Sequence, residues 1–542
     1  MVLVCGWLAS VQLPSARLYA DDIVSETGNL EDVASVLERG RQFEQRDRWI
    51  EALSLYEDAA HHHPENSDVQ RQRTLAHIHC DLQRRLEDPS YLQLVSSLSE
   101  PRAMQLYDEL TYKIRSHFFD EPDWQRVVWR GTANLDIALT KPDFRTRFAP
   151  RANEDQFTAF RQLLRDDVNR RPIRTQLEAR QLVAYAAHLA EQRLGSPLGA
   201  VVGEYCCGGI ASLDQYSSYL TASQLDDVYS QIEGNFVGLG IELKSDDQSL
   251  LIVKVIPGGP AERSGVHAGD HITAVNGVAT SLVSPEEAAD MLKGEEHTMV
   301  RLALEGSDGV TRDVRVSRER VEVPSVEDAR MLDPSSGTAY FRLTSFQKTT
   351  SQDVDAALWK LHREGMRVLV MDLRDNPGGL LTSSVEVADK FLREGVIVST
   401  RGRSPREDFD YRAHDAGTWR VPLVVLINQN TASASEIFAG AIRDHGRGTI
   451  VGERSYGKGS VQGIFPLNSI RSGVRLTTSK FFSPSGQPIS DRGVLPHRTV
   501  HVAARPADGG NPVDSQSLMD DPMVAAACET ARHVVVASTA AN

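Results

Sequence analysis

The sequence predicts a multidomain α+β protein: a helical N-terminal part, a compact β-rich module, and an α/β core toward the C-terminus. Three observations carry this. At 542 residues the chain is too long for one hydrophobic core. Helical apolar spacing, as in Leu177 to Leu194, continues to about residue 230 and then yields to short β-branched runs. From about residue 337 strand-like and helix-like stretches alternate. The hydrophobic fraction of 41% and charged fraction of 25% are those of a soluble globular chain. The net charge is -15 with no basic block, which argues against nucleic-acid binding, because that requires clustered Lys and Arg at phosphates.

At the N-terminus, Val2 to Val11 is mostly apolar, and Leu18-Tyr19-Ala20 precedes Asp21-Asp22. Residues 1–20 therefore read as a cleavable export signal, with a buried N-terminus as the alternative, and the expected location is the periplasm or cell envelope. The apolar stretch is too short to span a bilayer, so no integral membrane span is expected. The five cysteines are too few and too irregular for a disulfide framework or a CxxC metal site.

Residues 21–105 read as helical. Between 33 and 66, Gly40, Phe43, Ala52, Tyr56, Ala59 and Pro64 fall where one 34-residue tetratricopeptide-type repeat has its small and aromatic positions. An ordinary helical hairpin is the alternative. These helices are a candidate surface for an adaptor protein. The run His61-His62-His63 points around a helix instead of converging, so no metal site is expected there. Residues 106–231 continue helical.

Residues 232–318 form the β-rich module, with runs at Phe236 to Leu243, Leu250 to Ile256, Met299 to Leu304 and Val314 to Ser317, and a helix from Pro285 to Lys293. Asp308-Gly309 is a hairpin signal. Gly238-Leu239-Gly240-Ile241 precedes a strand; its glycines allow inward N–H groups that cradle an anion, although a plain tight turn explains it equally. Followed by Pro257-Gly258-Gly259-Pro260-Ala261 and Gly265 to Asp270, this set resembles a PDZ domain. The resemblance implies a groove that binds the C-terminus of a protein or peptide.

The α/β core, residues 319–502, carries the chemistry-bearing segments. After the strand Val421 to Ile427 comes Thr431-Ala432-Ser433-Ala434-Ser435-Glu436. A serine entering a helix has an exposed hydroxyl, and the following N–H of Ala434 can stabilise negative charge. Simple helix capping by Thr431, Ser433 or Ser435 explains the segment as well. Twenty-five residues on, Gly457-Lys458-Gly459-Ser460-Val461-Gln462 follows another strand. Lys458 is either a solvated turn residue or, if buried beside a serine, a neutral amine able to take its proton. Gln462, four residues along, is expected to share a strand face with Lys458 and orient it. Asp372-Leu373-Arg374-Asp375-Asn376-Pro377-Gly378-Gly379 is first a turn, and its glycine N–H groups are candidate oxyanion donors.

Together these three segments, downstream of the PDZ-like module, resemble the carboxyl-terminal processing (tail-specific) serine peptidases. The resemblance implies an endopeptidase with Ser433 as nucleophile, Lys458 as base, Gln462 as its orienter, and Ala434 with Gly378 or Gly379 as oxyanion donors. It implies substrate binding through Gly238, Leu239, Gly240 and Ile241, and no metal or cofactor. Asp444, eleven residues after the serine, matches an acidic position of the family and is read as structural. Gln215-Tyr216 stands where the family commonly has Pro-His, and Leu495-Pro496-His497 replaces a common Pro-Asp. A scaffold that kept the fold and lost the chemistry is the alternative, but neither the serine nor the lysine has degenerated. A serine esterase with a histidine base lacks its GxSxG elbow. Residues 503–542, rich in Ala, Pro, Gly and Asp, are expected to be a loose tail.

Overall fold

A computed structural model describes residues 2–5, 32–246, 249–501 and 518–540. Most of the export-signal reading, from residue 6 to residue 20, lies outside the described residues.

Helices Val33–Gln45 and Trp49–His62 pack together, and a Cβ on Gly40 would displace the Tyr56 ring that packs over it. Eight further helices from Ser67–Glu87 to Leu198–Ala211 follow, the last of them almost wholly buried. Inside this layer Glu204 is fully buried, accepting from Arg85 at 2.6 Å and from the Tyr91 hydroxyl at 3.0 Å. A buried charge needs such partners to avoid a desolvation penalty.

The β-rich module is a six-stranded antiparallel sheet: five strands run in the order Ile241–Asp246, Ser249–Val255, His271–Val275, Met299–Glu305, Thr311–Ser317, and the short Val278–Ala279 pairs off this path with His271–Val275. The run expected from Phe236 to Leu243 is split. Asn235–Gly238 leaves the sheet and pairs with Glu319–Glu322, so the chain entering the module is strapped to the chain leaving it. The split falls at Gly240, whose φ of 78° a β-branched residue would resist. Ile241–Asp246 is left as an edge strand.

Two sheets build the core. One has six strands, Val326–Asp333, Thr338–Leu343, Val368–Asp372, Leu423–Ile427, Thr449–Gly452 and Arg498–Thr499, all parallel except the first pair. Val368–Asp372 and Leu423–Ile427 are buried at every position, as expected for strands covered on both faces. The other sheet holds Ser460–Leu467 and Ser472–Phe482 at its centre. The helical layer closes against it: Phe465, Leu467, Val474 and Leu476 share one apolar cluster with helix residues such as Tyr107 and Val201, and Ser218–Leu220 adds a strand.

The C-terminal expectation needs correction. Residues 518–540 are not a loose tail: a helix, Pro522–Ala540, lies on the parallel sheet and buries Met523, Val524, Ala527, Cys528 and Ala531 against Val368, Val370, Val424 and Leu426. Composition masked a helical spacing of small apolar residues. Asp521 accepts from Met523 N at 2.8 Å and pairs with Arg374 at 2.6 Å, which ties the helix start to the sheet edge. No helix among the described residues is long and apolar enough to cross a membrane.

Candidate active site

Three neighbouring parallel strands end at the same edge of the six-stranded sheet, and each delivers one segment singled out above. Val368–Asp372 runs into the Pro-Gly-Gly turn, Leu423–Ile427 into the serine, and Thr449–Gly452 into the lysine segment. The carboxyl edge of parallel strands is where such folds place their ligands.

Ser433 is 0% exposed and sits at φ 59°, ψ -110°, outside the ordinary regions for a non-glycine residue. Such a conformation costs about 1–3 kcal/mol and persists only where neighbours enforce it. The helix Ala434–Asp444 starts immediately after it. The Ser433 hydroxyl has no hydrogen-bond partner in the protein, so it is not spent on capping this helix. The serine's N–H instead donates to Glu436 Oε2 at 2.6 Å.

Glu436 is the residue on which the site is assembled. Its carboxylate is completely buried and takes four donors: Ser455 Oγ at 2.6 Å and Gly457 N at 2.7 Å on Oε1, Ser433 N at 2.6 Å and Lys458 N at 2.9 Å on Oε2. Burial pushes its carboxyl up from the ordinary range, and the four donors oppose that shift. One oxygen thus holds the backbone of both Ser433 and Lys458. Sequence reasoning gave Glu436 no role, yet Ser433 and Glu436 have the Ser-x-x-Glu spacing of a capping box, which was the available signal.

Lys458 is 1% exposed, which removes the solvated-turn reading. Its Nζ lies 4.7 Å from the centroid of the Tyr216 ring, so Tyr216 faces the lysine directly. Gln462 is also buried, but the strand-face argument for it fails. Lys458 precedes the strand, which begins at Ser460, and the ladder has an irregularity between Val461 and Gln462. The Gln462 amide nitrogen donates to Ser460 Oγ at 2.9 Å.

The two glycines of the turn differ. Gly378 N–H donates to Asn376 Oδ1 at 2.9 Å and is spent. Gly379 has φ 142°, and a Cβ there would collide with the Phe346 carbonyl, so only glycine fits. Asn376 also donates to Leu343 O at 2.7 Å, while its carbonyl accepts from Ala432 N at 3.0 Å and Ser435 Oγ at 3.1 Å. It therefore clamps the glycine turn to the serine loop. Asp375 adds a second clamp, accepting from Asn428 and Asn430 side chains at 2.9 Å each. At the far end of the helix, Asp444 accepts from Ser485 N at 3.1 Å. Burial acts to raise its carboxyl pKa, but hydrogen bonds from Ser483 and Ser485 prevail and hold it below the usual range.

In the β-rich module, Leu239 O and Gly240 O accept from Ala261 N and Ile256 N, both at 2.9 Å, so the Gly238–Ile241 turn is held by its carbonyls at the head of the edge strand.

The site therefore joins a strained serine at a helix mouth to a buried lysine whose backbone N–H shares the same carboxylate, in a chain that also carries a separate β module. Comparison with known proteins gives the class. Residues 337–500 match the model of peptidase family S41 and residues 228–305 that of the PDZ domain. The chain is 39% identical over 301 residues to the carboxy-terminal-processing protease of Bartonella bacilliformis, spanning 54% of this chain and 68% of that one. It is 34% identical over 298 residues to a carboxyl-terminal-processing protease of Synechocystis, covering 54% and 69% of the two chains. A solved photosystem II D1 C-terminal processing protease is similar at a TM-score of 0.39 and 24% identity, over 76% of this chain and 95% of the other. The chain belongs to peptidase family S41, as a carboxyl-terminal-processing serine protease with a PDZ domain.

Proposed function

We propose that the protein cleaves polypeptides by a Ser-Lys acyl-enzyme mechanism after its PDZ domain has taken their C-terminal tails. The observation that carries this reading is the shared Glu436 oxygen, which holds Ser433 N and Lys458 N at 2.6 and 2.9 Å while the serine hydroxyl stays free of partners. Burial disfavours an ammonium relative to a neutral amine, which suits Lys458 for proton abstraction.

In the first step the Lys458 amine takes the Ser433 proton as Oγ bonds to the scissile carbonyl carbon. The carbonyl oxygen becomes an oxyanion facing the N–H of Ala434, at the positive end of a helix. The second donor is Gly379, because the Gly378 N–H is already committed to Asn376. Collapse breaks the peptide bond, and Lys458 returns its proton to the leaving amine. Water then attacks the ester, with the lysine again accepting the proton and Ser433 recovering it on release.

For the tail, the open edge of Ile241–Asp246 offers unpaired backbone groups to an extended peptide, and the Gly238–Ile241 turn offers N–H groups to its carboxylate. The test is mass spectrometry of products from a tailed substrate. Ser433→Ala and Lys458→Ala should each lower cleavage about a thousand-fold or more with the fold retained. Near-parental turnover in either variant overturns the mechanism.

A further inference from the structure

Tyr216 belongs to the helical part of the chain, yet its ring lies against the proposed catalytic base, with Lys458 Nζ 4.7 Å from the ring centroid. The loop that carries it is fixed from both sides. Asp214 Oδ1 accepts from Tyr216 N at 2.9 Å and from Ser217 N at 2.6 Å, an Asx turn that sets the tyrosine backbone. Ser217 Oγ accepts from Thr477 N at 3.2 Å, and Ser218–Leu220 pairs with Gly473, Val474 and Arg475. The strand Ser472–Phe482 pairs in turn with Ser460–Leu467, which begins just after Lys458. Tyrosine loop and lysine are thus anchored to one sheet.

Lys458 is buried among these elements, and the Ser433 hydroxyl has no hydrogen-bond partner among the described residues. The amine is therefore seated at the ring and is not hydrogen-bonded to the serine. An aromatic face attracts a cation and offers a neutral amine little. Burial, with Tyr456 nearby, pushes the phenol of Tyr216 up from its ordinary value, so the ring stays un-ionised.

We propose that Tyr216 is the seat of the protonated base: its ring face holds the Lys458 ammonium from the moment the serine proton arrives until that proton is passed on. This rests on the Ser-Lys reading above. As Ser433 Oγ bonds to the scissile carbonyl carbon, its proton moves to Lys458 Nζ, and the new cation lies where water cannot reach it. The ring face stabilises it until the peptide C–N bond breaks and the proton goes to the leaving nitrogen. The same attraction makes Lys458 a stronger base than it would be beside an aliphatic side chain. The other titratable or charged groups on the elements around this pair are Asp214, Glu436, Tyr456, Arg475, Lys480 and Asp491, whose N–H donates to Gly457 O at 2.8 Å. The substitutions below leave all of them in place.

The experiment compares Tyr216→Phe, which keeps the ring face, with Tyr216→Leu, which keeps apolar cover and removes it. Tyr216→Met takes the place of Tyr216→Leu if the latter lowers the melting transition. Because the base must be neutral to act, kcat/KM for a tailed peptide rises with pH through the Lys458 pKa. Tyr216→Phe should match the parent. Tyr216→Leu should move that rise about one pH unit lower and reduce kcat on the plateau about three- to tenfold with KM unchanged, so that the two profiles cross. A purely structural role would lower activity at every pH without moving the rise. In a Ser433→Ala background, the rate at which cyanate carbamylates Lys458, read by peptide mass spectrometry, follows the amine's titration without any cleavage, and the same shift of about one unit is expected there. Identical pH profiles for Tyr216→Leu and Tyr216→Phe overturn the proposal, as does unshifted labelling in Tyr216→Leu. A shift in labelling within a chain that does not cleave would instead defeat the Ser-Lys reading and leave the seat standing.

Discussion

Replacing Glu436 by glutamine tests the assembly of the site most sharply, because it keeps the shape and removes one acceptor. The carboxylate accepts from four donors, two on each oxygen. In Glu436→Gln the amide oxygen can keep Gly457 N and Ser455 Oγ. The amide nitrogen then faces Ser433 N and Lys458 N, donor against donor. A buried donor left without an acceptor costs about 1–3 kcal/mol, so the pair should cost about 2–6 kcal/mol. For a domain of this size each kcal/mol lowers the melting temperature by about 2–4 °C. Differential scanning calorimetry should therefore show the catalytic-domain transition falling by several degrees at least, while the PDZ transition stays in place. Cleavage should drop about a hundred-fold or more, because the segments bearing nucleophile and base lose their common tether. Since burial raises the Glu436 pKa in the folded state, its contribution to stability is fully present below the unfolded carboxylate pKa and declines as pH rises through the folded one. An unchanged melting temperature together with unchanged kcat would refute this account of the carboxylate.

Other expectations concern single residues. Ser433→Gly should be inactive yet raise the catalytic-domain melting transition, with relief of φ 59° worth about 1–3 kcal/mol less the chain entropy of glycine; a lowered transition contradicts the strain reading. Asp444→Asn should destabilise at neutral pH. Because the folded pKa of Asp444 lies below its ordinary value of 3.8, that loss should shrink as pH falls through the folded pKa, as urea midpoints across pH would show. Val524→Asp places a charge in the buried face of the C-terminal helix; it should strip residues 518–540 from the sheet, seen as new proteolytic sensitivity there.

Much of the site was legible in the sequence because its chemistry is concentrated in short segments at strand ends. Ser433, Lys458 and the Gly378-Gly379 turn do arrive at one sheet edge, since their three strands are parallel neighbours. The parts that were not legible depend on partners distant in the chain. Glu436 reads as a helix residue until the lysine segment folds over it. Tyr216 faces Lys458 only once the helical layer docks on the sheet. The pairing of Val2–Cys5 spans more than 370 residues to Gly379 and more than 450 to Gln462, and its apolar character alone reads as an export signal. Gln462 failed in the other direction: a strand period was assumed across Gly459, where the chain is not yet a strand. The C-terminal helix was missed because Ala, Val and Cys at helical spacing look unremarkable beside the Pro- and Gly-rich stretch before them.

The central claim is that Ser433 is acylated with the Lys458 amine as base. Acid-quenched mass spectrometry of the enzyme mixed with a tailed peptide substrate tests it directly. The account predicts an adduct equal to the N-terminal product less water, confined to the proteolytic fragment containing Ser433 and absent in Lys458→Ala. An adduct on another residue, or its undiminished formation in Lys458→Ala, would contradict it.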